Sequence, residues 1–399
     1  MMAGKVVPAA RILLIFSAKV IRGESTAPPS RMETVNGYSS ISRSADAPHW
    51  VSYQRAASSS ECAATKSQSS NCHTPKAELA KTGAGLAFWR PERCLAQLRE
   101  PGCAADLGLP DMDVAQAAAA GAKTLVIGTS APGGQLPPHW TARIVEAMEA
   151  GLDIASGLHV PLRAIPQLAA AADRTGRVLH DVRLSGGPFP IANGLPRSGR
   201  RVLMVGTDCA VGKKYSALAI HRELQARKVP ATFRATGQTG VLIDGHGFAI
   251  DAIVSDFLAG AVEMLTPAAA ADHWDVVEGQ GALIHPAYAG VSLGLLHGAQ
   301  PEAFVVCHEA GRTELSGFPG HKTGTIAEII ELTTTLSRRV SPAIRCAGIC
   351  INTARLPEVE ARALLAATEV EHGLPATDPV RFGVSGIVDR LLVAGKMSH

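Results

Sequence analysis

The residues with the most recognisable chemistry form the segment Gly206-Thr-Asp-Cys-Ala-Val-Gly212-Lys213-Lys214-Tyr215. Glycines let a chain curl until successive backbone N–H groups face inward, and a following helix start adds positive potential. Lys213 brings a mobile cation to the same place. Such a cradle grips phosphate. The contacts expected in it are Gly206, Thr207, Asp208, Gly212, Lys213, Lys214 and Tyr215. Where magnesium-dependent loops carry a Ser or Thr after Gly-Lys, this chain has Lys214. That hydroxyl would ligate the Mg²⁺ bridging two phosphates, and an ammonium cannot replace it. Ser216 comes two positions late and is expected to face elsewhere on the helix. The loop therefore reads as one that holds a phosphorylated ligand without cleaving its anhydride.

Other reactive side chains follow the ends of apolar, strand-like runs, where α/β folds place their ligands. Arg234 and Gln238 follow one such run and could present donors to a carboxylate. Cys307-His-Glu309 and Arg312 follow another. His308 suits a general base, since imidazole titrates near neutral pH, and Arg312 could hold a second carboxylate. Glu278, in Glu278-Gly-Gln-Gly281, is the competing base, with an electrostatic or water-holding role as an equal alternative. No two histidines have the i, i+4 helical spacing of a zinc motif, and the eight cysteines lack paired spacing, so no metal is expected. His297, in an apolar context, reads as a hydrogen-bonded structural histidine. Cys346 and Cys350 are evenly spaced in a strand and are expected on one face of it.

These residues need a frame to position them. Lys123–Gly128, Leu152–Ser156 and Arg177–Val182 read as strands alternating with helices at Asp113–Ala122, Thr141–Gly151 and Leu162–Thr175. The turn-rich stretch from Gly186 to Gly199 separates them from a second series. That series has strands at Arg201–Val205, Ala231–Arg234, Trp274–Val277, Ala303–Cys307 and Cys346–Ile351. Helices fall at Ser216–Arg227, Asp251–Leu265, Thr325–Leu336 and Pro357–His372. Strand–helix alternation predicts two α/β domains built on parallel sheets, 77–198 and 199–399. Residues 1–76, Ser-rich and acid-poor, read as a disordered or misassigned extension. Gly128-Thr-Ser-Ala-Pro-Gly133-Gly134 lacks the spacing of a dinucleotide fingerprint, and Pro132, Pro137 and Pro138 interrupt the helix that should follow. It reads as an interface or acceptor-pocket loop.

Composition narrows the class. Aromatic residues make up 4% of the 399, too few for a base-stacking surface, and a net charge of +3 does not call for a polyanionic partner. No apolar run reaches membrane-spanning length. The expected setting is the cytoplasm, with a small-molecule substrate, no nucleic acid and no membrane; homo-oligomerisation is left open.

The loop resembles the Gly-Thr-Asp-x-x-Val-Gly-Lys-Thr loop of dethiobiotin synthetase and its relatives. Glu278-Gly-Gln-Gly281 is similar to an acidic segment of that superfamily, and the resemblance puts Asn352 where those proteins recognise a base. A longer resemblance covers about Lys81 to Arg390. It is carried by the loop itself, Phe233-Arg-Ala-Thr-Gly-Gln-Thr-Gly240, His273-Trp-Asp-Val-Val-Glu-Gly-Gln-Gly281, the stretch from His285 to Pro301, and Asp378-Pro-Val-Arg381. The family is the D-glutamate N-acetyltransferase type, first catalogued as a domain of unknown function. It implies an N-terminal Rossmann-like domain, a C-terminal P-loop domain, and acetyl transfer from acetyl-CoA to the amine of an acidic amino acid, D-glutamate, giving N-acetyl-D-glutamate. Coenzyme A fits the loop, because its phosphates need gripping and not hydrolysis. The family's first strand is expected just before Lys81, where Ser67 to Thr74 is polar and unlike a strand. The alternatives are an ATP-dependent ligase or kinase of the dethiobiotin synthetase type, and a non-catalytic nucleotide-binding regulator.

Overall fold

The computed structural model describes residues 12–16, 80–100, 103, 105–129, 136, 140–184 and 186–393. The N-terminal domain runs β1 (Ile12–Phe16), α1 (Lys81–Trp89), β2 (Cys94–Arg99), α2 (Val114–Ala119), β3 (Thr124–Ile127), α3 (Trp140–Glu149), β4 (Asp153–Ser156), α4 (Pro166–Thr175) and β5 (Leu179–Asp181). Its five strands are all parallel, in the order β2-β1-β3-β4-β5. Local signals set several boundaries. Asp113 and Gln116 close a capping box at the start of α2. Pro166 opens α4, and Gly176, at φ +68°, ends it.

β1 corrects the reading of the first 76 residues. Ile12–Phe16 is no part of an extension: it pairs with β2 on one side and β3 on the other. Leu13 and Leu14 are fully buried. A five-residue apolar run suits a strand covered on both faces. The strand is hard to read from sequence because it stands far from its helix, α1, along the chain. The rest of that stretch, including Ser67 to Thr74, lies outside the described residues, as do Ser130–Gln135 of the glycine-containing loop.

The second domain comprises β6 (Arg200–Gly206), α5 (Lys213–Ala226), β7 (Ala231–Arg234), α6 (Gln238–Asp244), α7 (Ser255–Leu265), β8 (Trp274–Val277), α8 (Ala289–Ala299), β9 (Ala303–Glu309), α9 (Ile326–Ser337), β10 (Arg345–Asn352), α10 (Glu358–His372), β11 (Ala376–Thr377) and α11 (Ser385–Val393). Its six parallel strands follow the order β11-β10-β9-β6-β8-β7. The glycine loop leaves β6, an interior strand flanked by β8 and β9, so three strand ends surround it. Among the described residues, no helix is long and apolar enough to cross a membrane.

Cys346 and Cys350 do not share a face of β10. The register slips between Cys346 and Gly348, so Cys346 stands beside Phe304 and Cys350 beside Cys307, on opposite sides of the sheet. An inserted residue defeats the period-two rule.

One apolar cluster joins the two domains. It runs from Ile12 and Leu14 through Leu86 and Trp89 of α1 to Ile220 and Leu224 of α5. Tyr215, in the first turn of α5, packs 5.7 Å from the rings of both Phe88 and Trp89. The Arg222 guanidinium lies 4.5 Å over Trp89. Polar bonds cross the same seam: Thr82 Oγ1 meets Thr239 Oγ1 at 3.0 Å, and Arg90 donates to the Ile243 carbonyl at 3.1 Å. β1 thereby anchors α1, and α1 is held against the glycine loop.

Candidate active site

The loop bends where its residues permit. Gly212, at φ +107°, caps α5, and Ala210 at φ +57° completes the turn. Lys213 is buried, and its Nζ donates to the Asp208 carbonyl at 2.7 Å. Asp208 is fully buried and organises the loop from below. Its carboxylate accepts from the Cys209 amide at 2.6 Å, from Arg312 Nη1 at 2.7 Å and from the Ser316 amide at 2.8 Å.

A cleft of about 370 Å³ opens above this loop, between the domains. One wall is Cys209, Ala210 and Gly212–Tyr215; a second is Gly237–Thr239 at the start of α6. Glu278–Gly281 form the floor, and Lys81, Thr82 and Ala84 of α1 close the fourth side. Glu278 is 3% exposed. Its Oε2 accepts from the Thr236 and Gly237 amides at 3.0 and 3.1 Å. Burial pushes its carboxyl up to about 7, against the opposing pull of Lys214, those two amides and Lys213. Burial likewise brings Lys214 down to about 8, with Glu278 resisting and Lys81 adding to the fall. A carboxyl and an amine that both titrate near neutrality therefore share the cleft.

Of the residues singled out from sequence, Gly212, Lys213, Lys214, Tyr215, Gln238 and Glu278 line this cleft together. Gly206 and Thr207 lie beneath the loop at the end of β6. Arg234 is not brought in: its Nε donates to buried Asp275 at 2.7 Å. Arg312 also stays outside the cleft, donating to Asp208, to the Cys209 carbonyl at 2.9 Å and to Glu309. It braces the loop. His308 hydrogen-bonds Thr207 Oγ1 through Nδ1 at 2.9 Å, and burial, aided by Arg312, lowers its pKa and keeps it neutral. Asn352 ends β10, where its Oδ1 accepts from the Ala354 amide at 3.1 Å, away from the cleft lining. Ser216 faces the sheet, donating to the Gly212 carbonyl and accepting from the Cys307 thiol, so its hydroxyl does not stand in for one at position 214. His297 bonds the Leu336 carbonyl at 3.1 Å, as a structural histidine would.

Asp208, Cys209 and His285 bring one potential metal-ligand atom each to within 4.8 Å of the others. The Ala287 amide donates to His285 Nδ1 at 3.1 Å, which leaves the proton of the neutral ring on Nε2. Nε2 then lies 3.9 Å from Asp208 Oδ1, beyond hydrogen-bond reach, with Arg312 also on that carboxylate.

Sequence reasoning missed the fourth wall. Lys81 and Thr82 open α1, and the available signal was the Lys-Thr pair followed by Gly83 and Gly85, which permit close packing. Gly85 is where Lys214 Nζ arrives, 3.0 Å from the position a Cβ would take.

A parallel-sheet pair with a glycine loop between strand and helix on one side of an interdomain cleft defines a two-domain α/β protein of the P-loop class. Family descriptions match both halves: the Rossmann-like domain of DUF1611, a domain of unknown function, over residues 99–185, and its P-loop domain over 190–388. The chain belongs to the DUF1611 family. A protein named D-glutamate N-acetyltransferase from Tritonibacter scottomollicae is 49% identical over 312 residues, 78% of this chain and 94% of that one. A second protein of that name, from a Pseudoalteromonas species, is 40% identical over 311 residues with the same shares covered. The crystal structure of a DUF1611 family protein from Anabaena variabilis superposes with a TM-score of 0.72 at 34% identity, covering 79% of this chain and 95% of that one.

Proposed function

We propose that this chain is a D-glutamate N-acetyltransferase that moves an acetyl group from acetyl-CoA to the amine of D-glutamate. The observation that carries the reading is one cleft lined both by the glycine loop with Lys213 and by a buried carboxyl, Glu278, that burial pushes up to about 7. The names of two relatives at 49% and 40% identity support the same reaction.

The first-turn amides of α5 and Lys213 hold the coenzyme A phosphates. Lys213 leaves the Asp208 carbonyl to do so. Glu278 takes a proton from the substrate ammonium, and the free amine attacks the thioester carbonyl. Backbone N–H groups of the Gly279–Gly281 turn steady the oxyanion. The C–S bond then breaks; the thiolate receives one of the two protons shed by the ammonium, and the other passes to solvent. An ATP-cleaving ligase is the poorer reading, because Lys214 occupies the hydroxyl position and Ser216 turns into the sheet.

The cradle is tested by calorimetric titration of acetyl-CoA in the presence of EDTA. The wild type should bind, and Lys213→Ala should bind about 10- to 100-fold more weakly, the loss expected for a charge-assisted contact. Equal binding by both would remove the loop from the reaction. Gly240 gives a second test, since a Cβ there would overlap Glu278 Oε2. Gly240→Ala must displace the base, and kcat is expected to fall about 100-fold, the scale of an ångström-sized misplacement. The acetyl-CoA affinity of that variant should stay unchanged.

A further inference from the structure

Both arginines that sequence position offers for an acidic acceptor are committed elsewhere, Arg234 to Asp275 and Arg312 to Asp208 and Glu309. The acceptor must nevertheless lie beside Glu278, the group that takes its proton. We propose that Lys81 of the N-terminal domain, acting with Lys214, binds the carboxylates of the acceptor, so that α1 is the element selecting an acidic amino acid. This rests on the reaction proposed above and deepens it.

Charge and direction carry the inference. Among the described residues, the charged side chains lining the cleft are Lys81, Lys213, Lys214 and Glu278. Lys213 is folded beneath the loop onto the Asp208 carbonyl and belongs to the phosphate side. Lys214 points the other way, with its Nζ against Gly85 of α1 and 5.2 Å over the Tyr215 ring. Lys81 is exposed at the mouth, and the first turn of α1 holds no acidic residue to neutralise it. Lys81 and Lys214 repel each other across the opening, and among the described residues Glu278 is the one carboxylate in the lining. Two cations thus converge where a ligand with two carboxylates would supply the missing negative charge. A neutral side chain would leave one of them unpaired in a partly desolvated site, which is an effective form of discrimination. Thr82, bonded to Thr239, fixes the turn from which Lys81 projects.

The experiment compares wild type with Lys81→Met, Lys81→Arg and Lys214→Met, using D-glutamate and D-glutamine as acceptors. Lys81→Met should raise KM for D-glutamate about 10- to 100-fold, the range for losing a charged partner. KM for acetyl-CoA should stay within about twofold, and the preference for D-glutamate over D-glutamine should fall with the same factor. Lys81→Arg should restore most of it, and Lys214→Met should share the defect. An unchanged D-glutamate KM and an unchanged preference in Lys81→Met overturn the inference while leaving the proposed reaction standing. If the wild type transfers no acetyl group to D-glutamate, the proposed reaction fails instead. Calorimetric titration of D-glutamate then decides the inference: weaker binding by Lys81→Met supports it, and equal binding or none by the wild type overturns it.

Discussion

Glu278→Gln is expected to lower kcat for acetyl transfer by about a thousandfold, within the range for removing a general base. The glutamine keeps an oxygen to accept from the Thr236 and Gly237 amides, so the fold and acetyl-CoA binding should survive. The pH profile gives the stricter check. The carboxyl of Glu278 is raised to about 7, so the basic form accumulates as pH rises through that value. For the wild type, kcat/KM should climb between about pH 6 and 8 from this group, and the climb should vanish in Glu278→Gln. A variant that retains a tenth of the activity, or a profile identical to that of the wild type, would assign the proton to another group.

The second large effect concerns β1. A chain beginning at Lys76 loses Ile12–Phe16 and leaves β2 and β3 as facing edges with a gap between them. Ile12 and Leu14 share their cluster with Leu86 and Trp89, so α1 loses its support and carries Lys81 and Thr82 away from the cleft. Acetyl transfer should fall below detection, and the N-terminal half should become sensitive to protease. A gentler substitution isolates packing: Leu14→Ala should cost about 2–5 kcal/mol in denaturant melts, the usual price of truncating a buried leucine. A truncated chain of full activity would show that β1 is dispensable.

What was readable in the sequence was local. The glycine loop announces itself because Gly212 needs a left-handed backbone and is flanked by a strand and a helix whose patterns are strong. Glu278 was equally readable, at the end of an apolar run. Long-range pairing was not readable. Arg234 and Arg312 look like free cations along the chain, and only the fold reveals Asp275 and Asp208 beside them. Lys81 looks like an ordinary surface lysine until α1 is laid against α5 and α6. β1 failed for a related reason: five apolar residues distant from the rest of their domain carry no sign of the two strands they join. The slip in β10 hid the opposite facing of Cys346 and Cys350, since an inserted residue leaves no periodic trace.

In the proposed reaction the cradle presents an acyl thioester to an amine activated by Glu278. Its most direct test is release of coenzyme A thiol from acetyl-CoA by the full chain in EDTA, followed across D- and L-amino acids. Thiol should be released with D-glutamate, one equivalent for each N-acetyl-D-glutamate formed. Absence of thiol release with every amino acid, together with Mg²⁺-dependent ADP formation from ATP, would contradict it.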